Sequence, residues 1–375
     1  MLLVCLGWLG IARGEELRAE LTGQGSRFLR QQIVFSVIAL LAMLAMTIPN
    51  YRILCRFSYA IFLAALVLLV VVYFFPPINR AHRWIRIGPL GVQPSEFAKL
   101  AFVLALAQYL MYRENFRRLR GLVIPLVLTM VPVLLVLKEP DLGMSLVFLP
   151  VLFVMLFAAG AQRSDLAKVL ALGILALPLL WTQMSREQKS RVIALFDQPA
   201  AEERPGDDAY HLHQAKRLRA LGGTWGSLIS GQPTDDPAVY YLPEASTDFV
   251  FCVLGERLGL PGLAAVLGLF TFLVWRGLAI AAATREPFGR LVAVGVVTLL
   301  AVQVLINAGM TVGLLPVTGL PLPLVSYGGS GLVAHGIALG LLLNIGARPG
   351  YEVTKEPFRW AVGGAGCKAA TSGRA

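Results

Sequence analysis

Residues 121–160 read GLVIPLVLTMVPVLLVLKEPDLGMSLVFLPVLFVMLFAAG, two apolar runs that are separated by the polar segment Lys138–Asp141. The runs at 121–137 and 142–160 reach the roughly 17–25 residues that an α-helix needs to cross the hydrocarbon core of a bilayer. Proline and glycine break the helix between them, which leaves three charged residues at a membrane surface. The stretch predicts a helical hairpin in a membrane.

Similar apolar runs recur along the rest of the chain. With 57% hydrophobic residues, 15% charged residues and a mean hydropathy of +0.69, the composition excludes a single soluble core. We expect an all-α polytopic membrane protein with about ten transmembrane helices, near residues 2–13, 33–49, 58–75, 97–112, 121–137, 142–160, 166–183, 257–282, 289–310 and 331–346. The first run is short for a span, but it lacks the basic start and the small-residue cleavage site of a secretory signal. It is therefore predicted as a short first span.

The basic residues predict the orientation. If both termini are cytoplasmic, five short basic loops share the cytoplasmic side, as the positive-inside rule requires, whereas the basic loops at 13–30 and 76–95 break that rule. The hydrophilic segment at about 184–247 then forms one long extracytoplasmic loop. We predict a single transmembrane domain at residues 1–350, a disordered cytoplasmic tail at 351–375, and a multi-pass location in the bacterial cytoplasmic (inner) membrane.

The net charge of +11 is divided among these loops and forms no basic stripe with stacking aromatics, so it does not predict nucleic-acid binding. The four cysteines lack CxxC spacing, which indicates neither a disulfide framework nor a metal cluster. His211 and His213 are two residues apart and cannot share a helical face, so we expect no metal site there.

Two acids, Glu244 and Asp248, lie between the long loop and the next apolar run. An acid at a membrane boundary needs a partner or a function. Capping of the following helix by Thr247 or Asp248 is the simpler interpretation, and it is compatible with catalysis. Because a helix N-terminus lowers the pKa of a carboxyl group, Asp248 is predicted to be ionised at neutral pH.

A second candidate region alternates cations with apolar residues, including Arg83, Trp84 and Arg86, before the helix start Gln93–Lys99. Ser95 is a plausible N-cap, and the spacing of Glu96 and Lys99 allows an ion pair on one helical face. An interfacial belt explains the Arg and Trp residues equally well. Ionisable residues that enter hydrocarbon more often line a polar cavity than face lipid.

Two further outer elements are candidates. Lys138–Gly143 is either a simple hairpin turn or part of a site. The segment 313–331, GLLPVTGLPLPLVSYGGSG, is too rich in Pro and Gly for a straight helix, so it is expected to line protein or a water-filled cavity. Backbone amides around Ser326–Gly331 are suited to a phosphate, although close helix packing by small residues is an equal alternative.

Five motifs in this order, RWI, QPSEFAKL, EPDLG, PExxTDFxFxxLGExLG and GLLPVTGxPLPxVSYGGSG, resemble the SEDS family of RodA and FtsW. The resemblance extends from about Arg80 to Ile345. It is greater for RodA than for FtsW, because the ends are compact, and a sporulation paralogue stays open. The resemblance implies a ten-helix membrane enzyme that polymerises lipid II into glycan strands on the outer face of the membrane, for cell elongation and rod shape. It also implies a class B penicillin-binding protein as partner.

The resemblance also implies roles for individual residues. The essential aspartate of the family falls on Asp248, and its acid and base at a helix start fall on Glu96 and Lys99. The expected substrate-binding residues of the serine-glycine turn are Ser326, Gly328, Gly329 and Ser330. One departure is that Ser246 stands where the family usually has His, which puts a His-assisted mechanism in doubt.

Lipid II carries an anomeric pyrophosphate, a leaving group that needs cations more than a protonated acid, so one carboxylate base is enough. Asp248 is expected to deprotonate the acceptor 4-hydroxyl, with inversion at the donor anomeric carbon. The candidate cations are Lys99, Arg83, Arg86, Lys138, Arg191 and a bound divalent ion, Mg²⁺ or Mn²⁺. The alternatives are a lipid II flippase or transporter and a non-catalytic scaffold that activates a penicillin-binding protein.

Overall fold

The computed structural model describes residues 1–22, 27–77, 81–87, 90–112, 119–196, 208–232, 234, 240, 242 and 244–348. It is almost entirely helical. The helices are α1 (Leu2–Thr22), α2 (Phe28–Thr47), α3 (Tyr51–Val71), α4 (Pro94–Tyr112), α5 (Val123–Lys138), α6 (Leu142–Ala159), α7 (Arg163–Gln183), α8 (Arg186–Phe196), α9 (Asp208–Leu221), α10 (Ser227–Ser230), α11 (Val250–Ala283), α12 (Pro287–Val312) and α13 (Gly329–Ala347). The predicted tail at 351–375 lies outside the described residues.

Each of the ten predicted spans coincides with a long helix. Seven helical segments, among the residues that the structure describes, are long and apolar enough to cross a membrane: α2, α3, α5, α6, α11, α12 and α13. The all-α polytopic membrane fold is therefore confirmed. The helices α1, α4 and α7 are not among these seven, and for these three a membrane crossing stays a prediction.

Helix α4 is central in the bundle, since 16 of its 19 residues are buried. It packs against α3, α5, α6, α12 and α13. Alanines at four positions, Ala98, Ala101, Ala105 and Ala107, allow neighbouring helices to approach closely, as small residues do in membrane bundles. The helices α2, α3, α5 and α7 expose many Leu, Val and Ile side chains, which suits contact with lipid. A polar side chain on α4 is thus enclosed by protein.

Helix α1 is longer than the predicted run at 2–13, and it packs against α11 and α2. Gly7 and Gly14 face Val325 and Ser246: a Cβ on Gly7 would lie 2.4 Å from the Val325 carbonyl oxygen, and one on Gly14 would lie 3.0 Å from Ser246 Oγ. The helix also carries the buried side chain of Arg13 into the protein. The first segment is therefore an integral part of the bundle.

The polar insertion at 184–247 is partly helical. Its helices α8 and α9 pack against each other, and α9 also packs against α11. The apolar face of α9, with Leu212, Ala215 and Leu218, forms a cluster with Leu242 and Phe249. This cluster supports the chain on both sides of Asp248.

The helix predicted at 257–282 begins earlier, at Val250, and kinks at Gly259, where φ is +66°. Only glycine adopts this backbone conformation readily. The first segment, residues 250–258, is directed away from the axis of the long second segment and leads back to Asp248. The kink thus separates the span from the helical turns that carry the Asp248 loop.

Candidate functional site

Asp248 lies in a tight turn directly before α11. The amides of Thr247, Asp248 and Phe249 all donate to the Glu244 carbonyl oxygen, at 3.2, 3.1 and 3.3 Å. Phe249 is the N-cap residue, with no capping side-chain hydrogen bond among the described residues. The interpretation of Thr247 or Asp248 as a helix cap is therefore wrong. The Asp248 carboxylate is available for another role.

Asp248 lines a cleft of about 230 Å³, which we call the central cleft. Seven of the predicted site residues line it: Arg83, Trp84, Glu96, Asp248, Ser326, Gly328 and Ser330. They come from four separate chain segments that the fold brings together. The cleft is also lined by Asp141, Glu244, Gly319 and His335, which were not predicted as site residues.

The surroundings of Asp248 raise the pKa of its carboxyl group to about 7. Burial is the main cause, and the negative charges of Glu244 and Asp141 add to it. Arg191 and Arg83 oppose the shift, which places both cations within electrostatic reach of the carboxylate. The predicted lowering of this pKa is wrong, because burial and the neighbouring acids outweigh the helix N-terminus. A carboxyl group with this pKa is poised for proton transfer near pH 7.

Arg83 is fixed against the turn between α5 and α6. Its guanidinium donates to the carbonyl oxygens of Glu139, at 3.1 Å from Nε, and Pro140. Its Nε lies 3.7 Å from Asp141 Oδ2. Asp141 in turn caps α6 by accepting from the Met144 amide at 3.1 Å. The EPDLG turn is therefore part of the site and holds one of its cations, which the simple hairpin interpretation does not account for.

Glu96 and Lys99 form the predicted ion pair. Lys99 Nζ lies 3.0 Å from Glu96 Oε2, and both residues are at most 3% exposed. The N-cap role predicted for Ser95 is wrong, because α4 begins at Pro94. The Ser95 hydroxyl is buried and finds no partner in the described part of the chain. Glu96 lines the central cleft, and the ion pair places Lys99 directly behind it.

Three of the six amides in the serine-glycine turn, Ser326–Gly331, donate hydrogen bonds within the protein. Ser326, Tyr327 and Gly328 donate to Leu322 O at 3.0 Å, Ser246 O at 2.9 Å and Gln32 Oε1 at 3.3 Å. A phosphate cradle at these three amides is therefore wrong. A Cβ on Gly329 would lie 2.7 Å from the Phe35 ring, which supports the packing alternative there.

Two of the predicted substrate-binding residues, Arg86 and Lys138, lie on the surface away from the central cleft. Arg86 is exposed on β1 (Ile85–Ile87), which pairs antiparallel with β2 (Leu90–Val92). Lys138 is exposed, with Nζ 5.5 Å from the centre of the Tyr73 ring. Neither is among the described residues that line the central cleft. Their predicted contact with substrate stays a prediction without support from the geometry.

Sequence reasoning missed the buried His335 on α13. Its Nδ1 lies 2.6 Å from the Gly331 carbonyl oxygen, and its Nε2 lies 2.8 Å from Gln303 Oε1. The signal that could have found it is a histidine inside the apolar run at 331–346. It extends the polar lining of the central cleft between α12 and α13.

Gly319 separates Asp248 from Arg191. It adopts φ of +69°, and a Cβ there would lie 3.3 Å from Asp248 Oδ2 and 3.9 Å from Arg191 Nη1. Gly319→Ala is therefore expected to cost about 1 kcal/mol or more in stability through backbone strain and to lower activity at least ~10-fold. The matched control is Gly223→Ala, at φ +58° with no atom within 4 Å of its Cβ among the described residues. Thermal unfolding and initial rates are measured for both, and equal activity in the two variants would contradict the expectation.

The sequence profile of the cell cycle protein family of FtsW, RodA and SpoVE matches residues 1–349. The chain is 37% identical over 328 residues to the peptidoglycan glycosyltransferase MrdB of Escherichia coli, with 86% of this chain and 87% of the relative covered. It is 36% identical over 331 residues to the probable peptidoglycan glycosyltransferase FtsW of Geobacter sulfurreducens, with 86% of both covered. Its identity to stage V sporulation protein E of Bacillus subtilis is 35% over 327 residues, which are 85% and 86% of the two chains.

Solved structures agree with the sequence relatives. The crystal structure of the rod shape determining protein RodA of Thermus thermophilus matches with a TM-score of 0.66 and 30% identity, and covers 93% of this chain and 97% of that one. A chain from a peptidoglycan synthase complex matches with a TM-score of 0.75 and 32% identity, over 93% and 98% of the two chains. The protein belongs to the SEDS family, the membrane-embedded family that includes FtsW, RodA and SpoVE.

Proposed function

We propose that this protein is a peptidoglycan glycosyltransferase that polymerises lipid II into glycan strands on the outer face of the cytoplasmic membrane. The observation that carries the proposal is Asp248, whose pKa is about 7, in a polar cleft with Arg83 and Arg191 nearby. Relatives named peptidoglycan glycosyltransferase support the substrate class. The site thus combines a base for an acceptor hydroxyl with cations for an anionic leaving group.

The proposed transfer needs one general base. The ionised Asp248 takes the proton of the acceptor 4-hydroxyl, whose oxygen attacks the donor anomeric carbon. The bond from that carbon to the pyrophosphate breaks on the opposite face, so the configuration inverts from α to β. The undecaprenyl pyrophosphate leaves with the bonding electron pair. The proton stays on Asp248 until solvent removes it.

Arg83 and Arg191 are the proposed partners of the pyrophosphate, since both cations act electrostatically on Asp248 and Arg83 lines the central cleft. Lys99 is buried in an ion pair with Glu96 and is not among the described residues that line the cleft. Mg²⁺ or Mn²⁺ was a further candidate. Within the described residues, no three potential ligands converge to hold a metal. Charge neutralisation is therefore proposed for Arg83 and Arg191.

The experiment that tests the function uses purified protein, lipid II and detergent micelles, with strand length read on a gel. A polymerase forms strands without a bilayer. A flippase, the alternative reaction, moves lipid II between leaflets and forms no strand in micelles. A scaffold forms no strands by itself, and it forms none when a folded class B penicillin-binding protein is added. Strands from this protein, alone or with that partner, support the proposal, and their absence in both mixtures contradicts it.

The partner, the process and the location are also proposed. A class B penicillin-binding protein is the proposed partner, and the match to a chain of a peptidoglycan synthase complex supports it. Cell elongation and rod shape are the proposed process. Depletion of the protein is then expected to give round cells, whereas filaments would indicate division. Both termini are proposed to be cytoplasmic, which cysteine accessibility at each end tests.

The polymerisation rate is expected to rise with pH around a midpoint near 7, because Asp248 acts only when it is ionised and its pKa is about 7. Below the midpoint, the rate falls about tenfold per pH unit. Glu244→Gln removes a negative charge that raises this pKa, so the midpoint is expected to move to lower pH. Initial rates between about pH 5 and pH 9 measure both midpoints. An identical profile for the two proteins would contradict the assignment.

A further inference from the structure

Asn307 on α12 connects two of the segments that form the central cleft. Its side-chain nitrogen donates to the Asp248 carbonyl oxygen at 2.8 Å and to the Leu320 carbonyl oxygen at 2.7 Å. The residue is fully buried. Both neighbours are carbonyl acceptors, so only the nitrogen, with its two hydrogens, fits on this side of the amide. One amide group thus joins the Asp248 turn to the loop that carries Gly319.

The Asp248 carbonyl needs this partner, because α11 does not use it. The first acceptor of α11 is the Phe249 carbonyl, to which the Cys252 amide donates at 2.9 Å. A carbonyl that is removed from water without a hydrogen-bond partner destabilises the fold. Asn307 is the donor that lets the chain turn at Asp248 before the helix begins. The conformation of the residue that carries the carboxylate therefore depends on α12.

The second hydrogen bond of Asn307, to the Leu320 carbonyl oxygen, holds the loop that faces the Asp248 carboxylate. Leu320 follows Gly319, whose Cα faces both the Asp248 carboxylate and Arg191. A shift of either carbonyl would change the distance between the carboxylate and the segment 318–320. Displacements of about 1 Å near reacting groups cost on the order of 100-fold in rate. The two hydrogen bonds act on that distance directly.

We propose that Asn307 is a positioning residue for glycosyl transfer. It donates one amide hydrogen to the Asp248 carbonyl and the other to the Leu320 carbonyl, and so fixes the Asp248 carboxylate relative to Gly319 and Arg191. The proposal rests on the proposed function, with Asp248 as the base. Asn307 touches no substrate in this account. It acts through the backbone of Asp248.

A matched control exists at the other end of the bundle. Asn344 on α13 is also buried, and its side-chain nitrogen also donates to two carbonyl oxygens, those of Met46 and Pro49, at 2.6 and 2.5 Å. Asn344 lies at the opposite end of its helix from the cleft residues Ser330 and Gly331. Its loss removes the same kind of contact without touching the site.

The test compares Asn307→Ala and Asn344→Ala in full-length protein by steady-state polymerisation of lipid II and by thermal unfolding. The two are expected to lose similar stability. Only Asn307→Ala is expected to lose kcat, by about 10- to 100-fold with KM within about twofold. Asn307→Ser, which keeps one donor, provides a milder variant if the alanine variant does not fold, and its kcat is expected to fall about 10-fold.

Each outcome decides the proposal. If the folded Asn307 variants keep wild-type kcat, or lose no more of it than Asn344→Ala, Asn307 is only structural and the inference is overturned. If the wild type polymerises and Asp248→Asn does so equally well, the base assignment fails together with the inference. If the wild type forms no strands with or without its partner, the proposed function fails and the inference fails with it.

Discussion

Asp248→Asn is expected to lower the polymerisation rate by about 10²- to 10⁴-fold, which is the usual contribution of a general base. The amide is close in size to the carboxyl group but cannot accept a proton at the pH of the reaction. Because the backbone of Asp248 is held by Asn307 and by the Glu244 turn, the substitution leaves these contacts unchanged. Initial rates with saturating lipid II measure the loss.

The same variant is expected to gain stability at high pH. The pKa of Asp248 in the folded state, about 7, lies above the ordinary value of 3.8. The folded state therefore loses stability as pH rises between these values, and the penalty is fully present above pH 7. Each pKa unit is worth about 1.4 kcal/mol, and partial exposure of the side chain reduces the expected gain to about 1–2 kcal/mol. The unfolding temperature of Asp248→Asn is expected to be higher than that of the wild type at pH 8 and equal to it near pH 4. Equal stability at both pH values would contradict the raised pKa.

Glu256→Ala is expected to destabilise the protein by about 3–5 kcal/mol, because it leaves the buried Arg13 without its main partner. The guanidinium of Arg13 reaches Glu256 through Nε and Nη2, each at 3.3 Å from a carboxylate oxygen, and the two side chains are 4% and 0% exposed. This pair connects α1 to the helical turns of α11 that follow the Asp248 loop. Thermal unfolding in one detergent measures the loss.

Two controls separate the pair from a general effect. Arg13→Leu combined with Glu256→Leu removes both charges and is expected to recover most of the stability, since a buried pair is often replaceable by apolar side chains. Lys168→Ala breaks an ion pair in which Lys168 is 63% exposed, and it is expected to cost at most about 1 kcal/mol. If Glu256→Ala cost no more than Lys168→Ala, α1 would not depend on this pair.

Much of the fold is predictable from the sequence, because hydrocarbon forces backbone hydrogen bonds to be made inside each segment. The apolar runs therefore become helices, and the spacing of Glu96 and Lys99 becomes an ion pair. The length of α1 was missed because Arg13 resembles a loop residue until its partner is known. That partner, Glu256, is 243 positions away along the chain.

Only some members of the candidate site were predictable from the sequence, and the chemistry of Asp248 was not. The predicted topology placed Asp248, Arg83 and Arg191 on the same side of the membrane, and in the structure both arginines act electrostatically on Asp248. The pKa of Asp248 depends on Glu244, Asp141 and burial at once, which no local rule combines. The rule that a helix N-terminus lowers the pKa of a carboxyl group therefore predicted the wrong direction of shift for Asp248. Likewise, the sequence suggested that the amides around Tyr327 could bind phosphate. In the structure the Tyr327 amide donates to the Ser246 carbonyl oxygen and the Gly328 amide donates to the Gln32 side chain.

Strand formation from lipid II by purified protein with a class B penicillin-binding protein, compared between wild type and Asp248→Ala at matched folding, tests the role of Asp248. Glycan strands are expected from the wild type, with near-complete loss in the variant. Strands formed by Asp248→Ala at the wild-type rate would contradict the role of Asp248 as the base of a glycosyltransferase.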